Sequence, residues 1–389
     1  MSVTAAAGFR AAGVTAGLKP SGKPDVALVV NDGPLHTAAA VFTTNRCKAN
    51  PVLWSERTVA DGKLEAVVLN SGGANCYNGP EGFQTTHASA ELVAELLGGG
   101  AIDVAVCSTG LIGTLLDRPL LEDGIRAAVG ELAADGGSAA ATAIMTTDTR
   151  RKEAVVHGGD ADGGWTVGGM AKGAGMLAPG LATMLVVITT DAVAERDTLD
   201  AALRQATRTT FDRLDTDGCM STNDTVILMA SGASGVEPDS AELAAAVQQA
   251  CADLTRQLWT DAEGAHHDIE ITVAGAESEE DAVAVGRAVA RSNLFKAAVF
   301  GDDPNWGRVL AAVGTTDAVF EPDRIDIAIN GVTVCRSGGT KAGDPAENVD
   351  MSARHVAVEI DLGAGAATAT VLTSDLTHDY VHENSAYST

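Results

Sequence analysis

Met170-Ala171-Lys172-Gly173-Ala174-Gly175-Met176-Leu177-Ala178-Pro179-Gly180-Leu181-Ala182-Thr183-Met184-Leu185 joins a cationic, glycine-rich turn to one threonine that opens an apolar run, Met184-Leu185-Val186-Val187-Ile188. The run predicts a strand over Met184–Thr190. A threonine placed there can cut the chain before itself. Its Oγ attacks the Ala182 carbonyl, an ester replaces the amide, and water releases two chains, 1–182 and 183–389. The new N-terminus then carries a hydroxyl and an α-amine within one residue, the minimal equipment of an N-terminal threonine nucleophile. With an unperturbed pKa of ~7.7–8, that amine can act as a base near neutral pH. An amide yields in this way only where its surroundings strain it or stabilise the tetrahedral oxyanion. Pro179 and Gly180 offer an unusual turn, and Ala182 leaves the carbonyl open. Read locally, the same residues also form an ordinary loop that ends at a strand.

The oxyanion needs donors. Cys107-Ser108-Thr109-Gly110-Leu111-Ile112-Gly113 follows a strand expected over Ile102–Ser108. A Thr-Gly step there points a hydroxyl and a backbone N–H into one small volume, and glycine permits close approach to a reacting carbonyl. A plain strand-to-helix turn has the same sequence. Met145-Thr146-Thr147-Asp148-Thr149-Arg150 is a polar cluster that also reads as a helix end. Lys172 is the single cation beside Thr183, placed to hold a substrate carboxylate or to lower the amine pKa. Glu263, in Asp261-Ala262-Glu263-Gly264-Ala265, is suited to pairing with an amino group, or is a solvated helix end.

Gly173-Ala174-Gly175 lacks the spacing of the Walker loop and of the dinucleotide fingerprint, and Gly98-Gly99-Gly100 follows a helix pattern rather than a strand, which argues against nucleotide binding. No cysteine or histidine cluster has zinc-ligand spacing, so no metal is expected. A net charge of −26 over 389 residues opposes nucleic acid and anionic membranes. No apolar run reaches membrane-spanning length, and Met1–Ala6 lacks the charged region of a signal peptide. Six scattered cysteines without a CxxC pair read as reduced, mostly buried thiols in the cytosol. Aromatics make up only 4% of the chain, so the core must be built from small side chains, which suits tight sheet–helix packing.

Further strands are expected at Asp25–Val30, Leu64–Asn70, Glu153–His157, Trp165–Gly168, Thr225–Ala230, Glu270–Ala274, Arg324–Val334, Val356–Asp361 and Ala366–Thr373. Helices are expected at His87–Leu97, Leu120–Ala134, Thr198–Phe211, Ser240–Trp259 and Glu279–Ser292. There is no strong repeat and no Pro/Ser-rich linker. The natural boundary is the stretch 173–182. The pattern predicts an α+β sandwich of mixed sheets covered by helices.

The order of the motifs adds to these readings. Thr109-Gly110, Met145-Thr146-Thr147-Asp148-Thr149, Lys172-Gly173-x-Gly175-Met176 and Ala182-Thr183-Met184-Leu185 are followed by Thr222-Asn223-Asp224-Thr225 and Glu263-Gly264-Ala265. Asp303-Pro304-Asn305-Trp306-Gly307-Arg308 and a closing Asn384-Ser385-Ala386-Tyr387-Ser388-Thr389 complete the series. Nearly end to end, the chain resembles the ornithine acetyltransferase (glutamate N-acetyltransferase) family of arginine biosynthesis. The resemblance implies an α/β sandwich like that of N-terminal nucleophile hydrolases, self-cleavage before Thr183, and a cytoplasmic α2β2 heterotetramer of the two products. It implies transfer of acetyl from N-acetylornithine to glutamate through an acetyl-threonine enzyme, with no cofactor and with acetyl-CoA as a second donor in some members. Carried over by position, Thr183 is the nucleophile and Thr109 and Gly110 are the oxyanion donors. Thr146, Lys172, Glu263, Asn384 and Thr389 line the substrate site. The chain departs from the family pattern at Ala174, where serine is common, at Gly180-Leu181, where Asn-Met is common, and at His266-His267, where Thr-Lys is common. A hydrolase that resolves the same acyl-enzyme with water, a paralogue for a related acetylated amino acid, and an uncut acidic binding protein are the alternatives.

Overall fold

The computed structural model describes residues 2–159, 163–177, 184–340 and 345–386. Its centre is a pair of stacked sheets. A five-stranded sheet runs in the order Thr37–Phe42, Thr225–Ala230, Leu185–Thr190, Trp165–Lys172, Lys152–Gly158. A four-stranded sheet runs in the order Phe9–Val14, Val26–Asn31, Ala66–Asn70, Val104–Ser108. Successive side chains on a strand point to opposite faces, and here both faces are covered. Leu185, Val187, Ile227 and Met229 meet Val67, Leu69, Ala27 and Val29 between the sheets. On the outer side of the larger sheet, Val186, Ile188, Val226 and Leu228 pack on the helices Arg196–Thr209 and Ser240–Trp259. On the outer side of the smaller sheet, Leu28, Val68 and Val106 pack on the helices Asn50–Thr58, Gly79–Leu97 and Arg118–Gly130. The order is therefore helix, sheet, sheet, helix. Double coverage is why these strands read as unbroken apolar runs rather than as alternating ones.

A third, six-stranded sheet takes its strands from the last third of the chain, with Asp268–Ala276 paired between His355–Asp361 and Ala367–Ser374. The helices Glu279–Ala290, Asn293–Phe300 and Trp306–Val313 cover it. The mixed sheets and covering helices expected from the sequence are present. No described helix is long and apolar enough to cross a membrane.

The boundary drawn at 173–182 does not divide the fold. The five-stranded sheet takes three strands from before residue 183 and two from after it, and Trp165–Lys172 pairs antiparallel with Leu185–Thr190, Lys172 standing opposite Leu185. The expected strand Arg324–Val334 is a hairpin, Asp326–Ile329 and Val332–Arg336, whose turn residues Asn330 and Gly331 have φ of 47° and 77°. Asn-Gly between apolar runs is the signal for that turn. The expected helix Glu279–Ser292 ends at Ala290, because Ser292 caps a second helix through Phe295 N–H. The strands Phe9–Val14 and Thr37–Phe42 were not expected. Both are rich in alanine, whose side chain carries little strand signal.

Candidate active site

Three strand ends meet beside the two central sheets: the end of Trp165–Lys172, the start of Leu185–Thr190 and the end of Val104–Ser108. Lys172 closes the first and is 1% exposed. Its Nζ donates to Thr146 Oγ1 at 2.8 Å and to Thr109 Oγ1 at 3.3 Å. Burial pulls its pKa below the ordinary lysine value, against the opposing pull of Asp148. An ammonium has three donors, and these contacts take two.

Thr109 follows the edge strand of the smaller sheet. Its N–H is committed to Asn70 O at 2.9 Å and its C=O accepts from Gly73 N–H at 3.0 Å. Because its Oγ1 accepts from Lys172, its own O–H is left to donate. Gly110 has φ +127°, and a Cβ there would stand 2.8 Å from Gly73 N. Only glycine fits without displacing backbone. Asn223 fixes this corner by donating to Ala74 O at 2.6 Å and to Ser108 O at 2.8 Å.

Behind Lys172 lies a buried ion cluster. Asp148 accepts from Lys152 Nζ at 2.5 Å, Gly173 N–H at 2.7 Å and Thr146 N–H at 2.9 Å. Burial works against its charge, but Lys172, Lys152 and the Gly173 amide together hold the carboxyl below the usual carboxylate range. Lys152 Nζ also meets Asp261 at 2.5 Å, and Asp261 accepts from Thr149 N–H and its hydroxyl. The 145–149 turn is thus tied to the end of the Ser240–Trp259 helix. Lys152→Met leaves two buried carboxylates without their shared cation. We expect about 3–5 kcal/mol of destabilisation, read by chemical denaturation of the purified protein.

Glu263 accepts from Thr147 Oγ1 at 2.7 Å and from Asn384 Nδ2 at 3.0 Å. Its own N–H donates to Ala174 O at 3.1 Å. A Cβ at position 175 would stand 2.3 Å from its carboxylate, so glycine there lets the acid approach the turn. Asn384 lies on the helix His378–Ala386. His266 pairs with Asp379 of that helix at 2.8 Å and His267 with Asp375 at 2.9 Å, neither with Glu263.

The structure therefore brings Thr109, Gly110, Thr146 and Lys172 together, and joins Glu263 and Asn384 to them through Thr147. Thr183 and Thr389 lie outside the described residues, as do Gly180 and Leu181. Lys152 and Asp261 were not singled out by sequence, since a lone charge beside a strand carries no mark of burial. Lys19 is a further group that the sequence did not reveal. Its Nζ donates to Met145 O at 2.6 Å and to Pro24 O at 2.9 Å, and burial lowers its pKa to about 8. Among the described residues no group of three His, Cys, Asp or Glu is placed to hold a metal.

The ArgJ family model matches residues 10–389. The arginine biosynthesis bifunctional protein ArgJ of Streptomyces coelicolor is 63% identical over 388 residues, covering 100% of each chain. The protein of the same name from Thermobifida fusca is 62% identical over 389 residues, again covering 100% of each. Among solved structures, a chain of ornithine acetyltransferase complexed with ornithine from Mycobacterium tuberculosis is 53% identical, with a TM-score of 0.45. The match covers 47% of this chain and 96% of that one.

Proposed function

The chain belongs to the ArgJ family, and from that premise we propose that it moves acetyl from N-acetylornithine to glutamate by ping-pong transfer through Thr183. The observation that carries this reading is the buried Lys172 ammonium between the Thr109 and Thr146 hydroxyls, on a residue whose strand partner, Leu185, lies two positions beyond Thr183.

Thr183 Oγ attacks the acetyl carbonyl as its proton passes to the α-amine of the same residue. The oxyanion takes hydrogen bonds from the Thr109 hydroxyl and the Gly110 N–H, each worth about 3–4 kcal/mol in comparable sites. The C–N bond breaks, the leaving nitrogen collects the proton, and ornithine departs. The free amine of glutamate then attacks the acetyl-threonine ester, and N-acetylglutamate leaves. Both substrates carry an α-carboxylate, so Lys172 serves both halves. Glu263 and Asn384, with Thr146 and Thr389, complete the substrate site. The same Thr183 Oγ first opens the Ala182–Thr183 bond. The products 1–182 and 183–389 stay together because they share one sheet, and they assemble as an α2β2 heterotetramer. Acetyl-CoA is the second acetyl donor, met by the same nucleophile, and no resident cofactor takes part. Unpaired cysteines, four of them buried, fit a cytoplasmic setting.

The test is an acetyl balance. With acetyl-labelled N-acetylornithine and glutamate, one labelled N-acetylglutamate forms for each ornithine released. Labelled free acetate in its place makes the protein a hydrolase, and no ornithine release at all removes the proposal. A parallel reaction with acetyl-CoA and glutamate tests the second donor.

A further inference from the structure

Asp224 is 0% exposed, yet only half of its carboxyl is used. Oδ1 accepts the Met184 N–H at 3.0 Å, while Oδ2 is buried without a hydrogen-bond partner among the described residues. The Ser221 hydroxyl favours its charged form, and Lys172 and Asp212 are the charges that act on it. Burial pushes the carboxyl well above the ordinary carboxylate range. An acid left in this state costs stability unless something uses it.

Its place in the sheet is fixed. Leu185–Thr190 and Thr225–Ala230 run parallel with Leu185 opposite Thr225, so Asp224 and Met184 stand side by side at the strand starts. Met184 O accepts from Thr225 N–H and Asp224 O from Thr43 N–H, which pins both residues. The nitrogen of residue 183 is three covalent bonds from Met184 N, so backbone geometry keeps the two within about 3.7 Å of each other in any conformation. The amine that a cut before Thr183 exposes is therefore covalently tied to an amide that the Asp224 carboxyl already holds.

We infer that Asp224 is a positioning residue for the N-terminal nucleophile: one oxygen anchors the amide of residue 184 and the other receives the α-amine that the cut exposes. This rests on the reading of Thr183 given above. The proton taken from Thr183 Oγ moves to the α-amine as the acyl bond forms, and leaves with the amine of ornithine when the C–N bond breaks. Asp224 holds the ammonium in between, as a buried carboxylate orients the general base of a hydrolytic triad.

Asp224→Asn keeps the carbonyl that accepts the Met184 N–H and removes the acid. We expect the protein to be cut as the parent is, with KM within two-fold and kcat lower by about ten-fold or more. An unchanged kcat in the cut variant overturns the proposal. So does loss of cutting, or a raised KM at unchanged kcat, because each would make Asp224 a structural or substrate contact. A measurement on the parent protein decides the matter if the variant does not fold. Reductive methylation with 13C-formaldehyde labels the Thr183 amine, assigned by its absence from uncut Thr183→Ala protein. Two coupled titration steps at that resonance, its own and that of the carboxyl, support the pairing. A single step at the ordinary α-amine pKa overturns it. Failure of the underlying reading looks different: the parent itself would be uncut or would transfer no acetyl.

Discussion

Thr183→Ala is expected to give one 389-residue band on a denaturing gel and no acetyl transfer, where the proposed mechanism gives two bands for the parent. A methyl side chain has no oxygen to attack the Ala182 carbonyl, so the chain stays whole. It also has no oxygen to carry the acetyl group, and an uncut chain exposes no α-amine to take a proton. The nucleophile and its base are lost together, and their effects do not add. The corner at Thr109 and Gly110 is expected to persist, because Asn70, Gly73 and Asn223 hold it through described residues alone. Residual substrate binding is therefore expected without turnover. Mass spectrometry of the purified protein and the acetyl balance read the two effects separately. An intact Ala182–Thr183 bond in active parent protein, or a cut alanine variant, defeats the mechanism.

Lys172→Met is expected to lower kcat/KM for both N-acetylornithine and glutamate by thirty-fold or more, from about 2–5 kcal/mol lost with a buried charge partner. Methionine fills the same space without donors. The Thr146 and Thr109 hydroxyls then lose their donor, and a substrate carboxylate loses its cation. Asp148 keeps Lys152, so the fold should survive where Lys152→Met does not spare it. The pH profile adds a check. Burial lowers the pKa of Lys172, so its ammonium form, the one that binds a carboxylate, disappears at a lower pH than that of free lysine. The alkaline fall of kcat/KM in the parent therefore begins below the ordinary lysine range, and Lys172→Met removes that contribution. Equal losses in both half-reactions support a shared carboxylate contact. A loss confined to one substrate does not.

The limits of sequence reading follow from what burial does to pattern. Met184–Ile188 was legible as a strand because apolar side chains occur on both faces. The alanine strands Phe9–Val14 and Thr37–Phe42 were not, because alanine serves helix and strand alike. Thr109-Gly110 and the 145–149 turn were visible as polar clusters, but each was locally an ordinary turn. Asp224 was seen only as one letter of Thr222-Asn223-Asp224-Thr225.

By itself, the amino-acid order determined the family, the series of motifs and the layered α/β class, because these depend on residue identity and on local periodicity, and it is the sole source of the proposal for Thr183. Only the tertiary structure decided which of those residues meet. Lys172 joins Thr109, 63 positions away, and Lys152 joins Asp261, 109 positions away. Such contacts are set by how sheets stack and strands register. A charge between two sheets looks in sequence like a charge in water until the chain has closed around it.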